Sequence, residues 1–263
     1  MKPSLAQAPF PFPWRVVAAS VTGRRHVQQN QPCQDAVRWE AGPGGWLLAA
    51  VADGAGSAKL GEVGAATAAT AALAELRQRF GDPGTMKDPV AARAALEGAL
   101  RAAQAAITAE AADRKTAVGN LATTLALCAA GPSGLAVAQV GDGAVVMGDA
   151  TGGLRTLTQP AAGEYLNETV FLTSDQALEC AQCATWPGAV RQVAMFSDGL
   201  QMLALQMPGA VPHAPFFKPL FAWLAHVAEP GPASQELAAW LSSGRVTGRT
   251  DDDVTLLLAA RTD

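Results

Sequence analysis

The amino-acid sequence predicts an α+β fold in which two antiparallel sheets are flanked by helices. Hydrophobic residues make up 49% of the 263 residues, and Asp, Glu, Lys and Arg only 16%, against roughly 25% in ordinary globular proteins. This composition excludes a disordered chain, because such chains bury too little apolar surface to offset their conformational entropy. The segment order, which is strands, two helices, strands, helices and a strand, indicates two sheets with helices outside.

We expect residues 1–14 to be an irregular lead-in and residues 15–263 to form a single domain, since no internal repeat or Gly/Ser-rich linker divides them. Prolines interrupt the lead-in where a signal peptide needs a continuous apolar run. These are Pro3, Pro9, Pro11 and Pro13. No apolar stretch of about 18 residues lacks Gly, Pro or charge, so we expect a cytoplasmic protein without a membrane-spanning helix.

The first half of the chain contains two predicted strands and two predicted helices. Residues 16–21 and 45–51 are short apolar runs that predict buried strands. Residues 61–80 and 89–114 are rich in Ala and Leu with polar residues on the opposite face, which predicts two long amphipathic helices. Between them, the Gly-Asp-Pro-Gly sequence of residues 81–84 predicts a turn.

Four short apolar segments follow, and the turn residues between them predict an antiparallel meander. They cover residues 121–130, 135–140, 144–149 and 154–157. Residues 159–188 have a mixed composition, with a candidate strand at 170–173, and we expect them to form a variable, flap-like insert.

The last part of the chain predicts two more strands and two helices. Residues 191–196 and 254–260 are apolar runs that begin or end beside aspartates, and both predict strands. Residues 216–228 and 234–242 predict the helices.

Charge and cysteine content exclude some functions. With 19 basic and 23 acidic residues, the net charge of −4 argues against a nucleic-acid-binding protein, whose binding surface is usually strongly basic. The four cysteines are too few for a disulfide scaffold. Cys180 and Cys183 form a CxxC pair that is half a zinc site, a redox pair or two inert thiols, and the missing second half-site favours inert thiols.

Aspartates border four of the predicted strands, each next to Gly or another Asp. They are Asp53-Gly54, Asp142-Gly143, Asp198-Gly199 and Asp252-Asp253. Any single Asp-Gly is more typical of a turn, and Asp142-Gly143 is readily interpreted as a hairpin. The set as a whole favours a different interpretation, because carboxylates that converge at one end of a sandwich repel one another unless a cation neutralises them. Oxygen ligands of this kind select Mg²⁺ or Mn²⁺ over zinc.

The order of these motifs along the chain resembles the PP2C (PPM) family of metal-dependent protein phosphatases. More narrowly, it is similar to a bacterial branch with a Cys-Gln-Asp first motif, and the resemblance covers about residues 15–261. The motifs are Gln34-Asp35, Asp53-Gly54-Ala55-Gly56 with Gly61-Glu62, Thr123-Thr124, Gly141-Asp142, Ser197-Asp198-Gly199 and Asp252-Asp253-Val254-Thr255.

The resemblance implies a four-layer α-β-β-α sandwich with two Mn²⁺ or Mg²⁺ ions, and a weaker third, in the cleft between the sheets. It implies the following ligands: Asp53 bridging both ions, the Gly54 carbonyl, Asp198 and Asp252 on the second ion, Asp35 acting through metal-bound water, and Asp142 on the third ion. It also implies that a hydroxide bridging the two ions attacks phosphorus, with Asp53, Asp198, Asp252 and Asp35 as the catalytic residues.

Several positions depart from the family pattern. The family commonly has Glu where this chain has Gln34, and eukaryotic members have His where it has Ala55. Asp253 stands where Asn is usual; it either adds charge near the metals or is, like Asp251, a solvated turn residue. The candidates for gripping the substrate phosphate are Arg24, Arg25 and His26; for each the alternative is an ordinary surface or structural side chain.

The leading hypothesis is therefore a Mn²⁺- or Mg²⁺-dependent serine/threonine protein phosphatase. Two alternatives remain open: a degenerate phosphatase fold that acts as a regulatory or binding module, and a hydrolase of small phosphoesters. By analogy with the family, we expect a phosphorylated protein as substrate and a Ser/Thr kinase as a candidate partner. We expect a monomer with no nucleic-acid or membrane partner.

Overall fold

A computed structural model of the chain describes residues 13–42, 44–81, 84–160 and 169–262. In chain order the strands are β1 (Trp14–Val21), β2 (Asp35–Ala41), β3 (Leu47–Asp53), β4 (Leu125–Gly131), β5 (Gly134–Val140), β6 (Ala144–Asp149), β7 (Leu154–Thr158), β8 (Gln182–Pro187), β9 (Val190–Phe196), β10 (Leu205–Gln206), β11 (Val211–Pro212) and β12 (Val254–Arg261). The α-helices are α1 (Arg24–Gln28), α2 (Gly61–Phe80), α3 (Pro89–Asp113), α4 (Gln201–Ala204), α5 (Ala214–His226), α6 (Pro230–Leu241) and α7 (Gly244–Thr247).

Two five-stranded antiparallel sheets face each other. The first sheet has the order β1-β12-β9-β6-β7, and the second has the order β2-β3-β4-β5-β8. One apolar cluster lies between the sheets, a second joins the second sheet to α2 and α3, and a third joins the first sheet to α5 and α6. The fold is therefore an α-β-β-α sandwich, and the prediction of two antiparallel sheets flanked by helices is confirmed.

The central strands are apolar on both faces because each face is covered. In β3, Leu47 and Val51 pack into the cluster between the sheets, whereas Leu48 and Ala52 pack into the cluster with α2 and α3. A strand buried on both sides is expected to be a continuous apolar run. Asp53 ends this run, and the carboxylate at the end of an otherwise apolar strand marks the edge of the sandwich where the candidate site lies.

Many of the predicted elements agree with the structure, with α2 matching at both ends. Residues 121–130 were predicted as one strand, but residues 118–121 form a 3-10 helix and β4 begins only at Leu125. Residues 170–173, the candidate strand, have no regular secondary structure.

The predicted meander is wrong in one respect. The hairpins β4-β5 and β6-β7 belong to different sheets, so the segment 141–143 crosses from one sheet to the other and is not a hairpin turn. Gly141 adopts a φ of 107°, which only glycine tolerates readily. A Cβ at this position would also lie 2.5 Å from the Thr124 side chain. The crossing brings Asp142 to the same end of the sandwich as Asp53.

The two-residue strands β10 and β11 were not predicted, and neither were β2 and β8. β2 carries the exposed Arg38 and the partly exposed Glu40, and only its Ala36 is fully buried. β8 is an edge strand in which no residue is fully buried. In both cases pairing with a neighbouring apolar strand, rather than the segment's own composition, determines the structure.

Some sequence expectations lie outside the described residues. They concern the lead-in up to residue 12, the turn residues 82–83 and positions 161–168 of the insert. Among the helices that the structure does describe, none combines the length and the apolar character needed to cross a bilayer.

Candidate metal centre

Asp35 and Asp53 lie opposite each other at the end of the β2-β3 ladder. Asp35 is the first residue of β2, Asp53 is the last residue of β3, and the two are direct cross-strand partners. Like charges in this position repel and destabilise the sheet. Burial raises the pKa of Asp35 to about 7, although hydrogen bonds from Thr255 and Ser197 act in the opposite direction.

Asp142 and Asp198 bring two more carboxylates to the same place. Burial, followed by repulsion from Asp35 and Asp198, raises the pKa of Asp53 well above its ordinary value, and Asp142 adds to the effect. Burial and then repulsion from Asp142 raise the pKa of Asp198 to about 6, with Asp252 contributing further. The five aspartates that the sequence singled out are therefore close enough to influence one another's ionisation.

Two threonines hold the backbone of Asp53. The Asp53 N–H donates to Thr124 Oγ1 at 3.1 Å, and Thr123 Oγ1 donates to the Asp53 carbonyl at 2.9 Å. Thr124 N also donates to that carbonyl at 2.8 Å. A Cβ on the next residue, Gly54, would lie 2.5 Å from the backbone of Gly61, so the loop after β3 is closed against the start of α2.

Gln34 explains one departure from the family pattern. With its amide nitrogen facing the loop, the Gln34 side chain donates to the carbonyls of Gly54 at 3.1 Å and Ala55 at 3.3 Å. The backbone carbonyl of Gln34 accepts a hydrogen bond from Gly54 N at 3.0 Å. An ionised glutamate has no proton to donate to these carbonyls. The second lone pair of the Gly54 carbonyl remains available to a cation.

Three side chains that the sequence reasoning did not single out for the site support its aspartates. Ser197 Oγ donates to Asp35 Oδ2 at 2.7 Å and accepts from Thr255 N at 3.0 Å. Thr169 Oγ1, in the insert, donates to Asp142 Oδ2 at 2.6 Å. Ser197 and Thr255 belong to quoted motifs, but no local signal connects Thr169 to Asp142.

Asp252 faces α1. Its two carboxylate oxygens each lie 2.9 Å from Arg25 Nη2, and its Oδ1 accepts from the backbone N–H of Asp253 at 3.0 Å. The guanidinium also lies beside Gly56, since a Cβ there would be 3.1 Å from Arg25 Nη2. Arg25 therefore lies between the loop that follows Asp53 and the start of β12.

Arg24 and His26 are placed differently. Arg24 pairs with Asp251 at 2.5 Å in an exposed contact. His26 is 2% exposed, and its Nδ1 lies 2.9 Å from Asp253 Oδ2, so it is a buried structural side chain and does not reach a substrate. Asp253 is itself 2% exposed, which excludes the expectation that it is a solvated turn residue.

The donor set fits a hard divalent cation. The Oδ1 atoms of Asp35 and Asp198 are buried without a hydrogen-bond partner, and an unpartnered carboxylate oxygen is costly in such a place. Carboxylate and carbonyl oxygens are the ligands that Mg²⁺ and Mn²⁺ prefer. Over the described ranges, however, no three Asp, Glu, His or Cys side chains already form a closed coordination set. Asp198 instead lies close enough to Asp53 to raise its pKa, and Asp252 pairs with Arg25.

The cysteines do not contribute a metal site or a disulfide. All four are free thiols, and in the part of the chain that the structure describes neither Cys180 nor Cys183 belongs to a metal-binding group. Burial, and then repulsion from Asp35, raises the pKa of Cys33, so this thiol beside the first motif stays neutral.

Comparisons with known proteins agree with this geometry. A sequence model of the family described as Protein phosphatase 2C matches residues 22–242. The chain is 38% identical over 260 residues to Serine/threonine-protein phosphatase 3 of Escherichia coli (strain K12), covering 94% of this chain and 98% of that protein.

Two solved structures share the fold. One is the catalytic domain of the serine threonine protein phosphatase PstP in complex with two manganese ions, with a TM-score of 0.60, 20% identity, and 95% and 99% of the two chains covered. The other is the S. agalactiae serine/threonine phosphatase, with a TM-score of 0.62, 14% identity, and 94% and 99% covered.

The raised aspartate pKa values predict how the stability of the metal-free protein depends on pH. An unfolded Asp titrates near 3.8, whereas Asp35 and Asp198 titrate near 7 and 6 when folded. Between these values the folded state binds more protons than the unfolded state, so the free energy of unfolding decreases as pH rises. We expect the melting temperature in chelator to fall between pH 5 and 7.5.

The variant Asp53→Asn tests the cause of this dependence. It removes one of the repelling charges, so it should melt higher than the wild type at pH 7.5 and show a shallower pH dependence. The control Asp113→Asn changes an exposed residue at the end of α3 and should keep the wild-type slope. A melting temperature that rises over this pH range in the wild type would contradict the interpretation.

Proposed function

Because the chain belongs to the protein phosphatase 2C family, we propose that it is a Mn²⁺- or Mg²⁺-dependent phosphatase of phosphoserine and phosphothreonine in proteins. The observation that carries this proposal is the convergence of half-buried aspartates from both sheets, two of which have buried, unpartnered oxygens. A fold without a cation has no evident use for carboxylates that repel one another. The name of the 38% identical relative supports the serine/threonine class.

We assign the ion-binding role to residues of both sheets. The proposed ligands are Asp53, the Gly54 carbonyl, Asp198, Asp252 and Asp35, with Asp142 at a weaker third position. Two divalent ions held there would activate a water for in-line attack on phosphorus and neutralise the phosphate oxygens. The manganese complex of PstP supports the metal class, while the number of ions remains part of the proposal.

The chain's own side chains orient the groups around the reacting phosphate. Ser197 Oγ fixes Asp35 by donating to Oδ2, which leaves Oδ1 free to accept a hydrogen bond from the attacking water. The threonine contacts to Asp53 fix the backbone of the turn that carries its carboxylate and the Gly54 carbonyl. Positioned acceptors of this kind lower the entropic cost of the reaction.

Arg25 is the best candidate for binding the substrate phosphate. It lies between Asp252 and Gly56, whereas Arg24 pairs with the exposed Asp251 and His26 is buried. A guanidinium can bind two phosphate oxygens in a fork. The Arg25-Asp252 pair is itself partly exposed, with side-chain exposures of 47% and 36%, so exchanging the carboxylate for a phosphate costs little.

Residues 182–187 of the expected insert form β8, so the described part before that strand, residues 169–181, is the proposed source of substrate choice. Thr169 connects it to Asp142 at the centre, so a change in the insert reaches the site directly. Phosphorylated proteins, including a Ser/Thr kinase or its target, are the proposed substrates.

The proposed activity predicts a metal requirement that depends on named residues. On a phosphothreonine peptide, we expect hydrolysis only with added Mn²⁺ or Mg²⁺. Asp53→Asn and Asp198→Asn should lower kcat/KM by more than about 100-fold because they remove ligands. Asp113→Asn should retain wild-type rates.

Each other outcome of this assay has a different meaning. Turnover in chelator, or activity that survives both ligand variants, would contradict the proposal. Hydrolysis of small phosphoesters but not of peptides would favour the small-molecule hydrolase. Mn²⁺ binding without any hydrolysis would favour the regulatory or binding module.

The role of Arg25 predicts a KM effect. We expect Arg25→Gln to raise KM for the phosphopeptide by about tenfold or more, as expected for the loss of a charge-assisted contact, and to weaken inhibition by inorganic phosphate in parallel. Arg24→Gln should give the smaller change, and the remote Arg114→Gln none. An Arg24 effect larger than the Arg25 effect would move the phosphate contact to Arg24.

A further inference from the structure

Three consecutive residues of α1 pair with three consecutive aspartates before β12, and only the last pair is buried. Arg24 pairs with Asp251, Arg25 with Asp252, and His26 with Asp253. The side-chain exposures are 56% and 67% in the first pair, 47% and 36% in the second, and 3% and 3% in the third. The third pair is enclosed by protein: His26 Nδ1 lies 2.9 Å from Asp253 Oδ2, without the geometry of a hydrogen bond.

The Asp253 carboxylate also holds two backbone segments. Its Oδ1 accepts from Gly23 N at 2.7 Å, and its Oδ2 accepts from Gln34 N at 2.5 Å while lying 2.9 Å from His26 Nδ1. Both oxygens are occupied by protein donors, and the side chain is closed to solvent. Asp253 therefore acts by holding the backbone around the site.

Each segment that Asp253 holds carries a residue of the proposed site. Gly23 lies two residues before Arg25, and Gln34 immediately precedes Asp35. The carbonyl of Gln34 accepts from the N–H of Gly54, which extends the contact to the loop after β3.

Close packing leaves α1 little freedom to shift on β12. A Cβ at Gly23 would lie 2.2 Å from the carbonyl carbon of Asp252, and one at Gly199 would lie 2.1 Å from the Asp253 carbonyl oxygen. Gly23 and Gly199 are therefore packed directly against the backbone of Asp252 and Asp253.

We propose that His26 and Asp253 are positioning residues that set Asp252, Arg25 and the Gln34-Asp35 segment at their working separations. The Asp253 carboxylate ties the segments of Gly23 and Gln34 to the chain before β12, and His26 packs against it in the buried contact. The family usually has Asn at the position of Asp253, and in this chain the Asp253 carboxylate lies against His26. The inference rests on the proposed function.

The test compares two variants of the pair with two matched controls. His26→Gln removes the imidazole but leaves both backbone donors to Asp253. Asp253→Asn replaces one carboxylate oxygen with an amide nitrogen that cannot accept from Gly23 or Gln34. The controls are His226→Gln, an exposed histidine at the end of α5, and Asp251→Asn, the exposed neighbour in the same aspartate run.

Mn²⁺ affinity measured by calorimetry is the primary readout, taken well below each variant's melting temperature. Loss of residues that orient metal ligands typically weakens binding by about 10- to 100-fold. We expect a weakening in this range for both variants of the pair, and a change of less than about twofold for the controls. Because the ligands themselves remain, kcat at saturating Mn²⁺ should recover towards the wild-type value.

A merely structural role gives a different result. His26→Gln and Asp253→Asn with lower melting temperatures but wild-type Mn²⁺ affinity would overturn the inference. If Asp253→Asn does not fold, His26→Gln decides alone. A wild type that neither binds Mn²⁺ nor hydrolyses phosphoesters overturns the proposed function and this inference with it, whereas an active wild type with unaffected variants overturns this inference alone.

Discussion

Repulsion between half-buried aspartates at one end of the sandwich is the constraint that organises the structure. Asp35 and Asp53 are cross-strand partners in the second sheet, and Asp198 reaches Asp53 from the first sheet. Burial strengthens the repulsion because little water screens the charges. The folded chain keeps these groups together only if other contacts, protons or cations compensate, and their raised pKa values express that cost.

The apolar sandwich supplies the rigidity that holds the carboxylates in place. The cluster between the sheets combines small and branched side chains with Trp14, Met147 and Met195, and the charged fraction of the whole chain is only 16%. Contacts to the backbone then fix the chain beside the strand ends. They are the hydrogen bonds of the threonines to Asp53, the close approach of Gly54 to Gly61, and the hydrogen bond of the Asp253 carboxylate to Gln34 N. Rigid elements with supported ligands are what a precise metal site requires.

Sequence reasoning could identify the site because aspartates that interrupt apolar strands are visible locally. It also located the long helices, whose periodicity extends over many turns. It could not identify β2 or the Thr169-Asp142 contact, since these depend on partners distant along the chain. The His26-Asp253 pair was missed for the same reason, because its members are 227 positions apart and each alone resembles an ordinary surface or turn residue.

Calorimetric titration of Mn²⁺ into the metal-free wild-type protein at pH 7 tests most directly whether cations compensate the aspartates. We expect two sites, with protons released as Mn²⁺ displaces them from carboxyls whose pKa values burial has raised. The measured heat should therefore vary with the ionisation enthalpy of the buffer. The absence of Mn²⁺ binding, or binding that is unchanged in Asp53→Asn, would show that cations do not compensate these carboxylates.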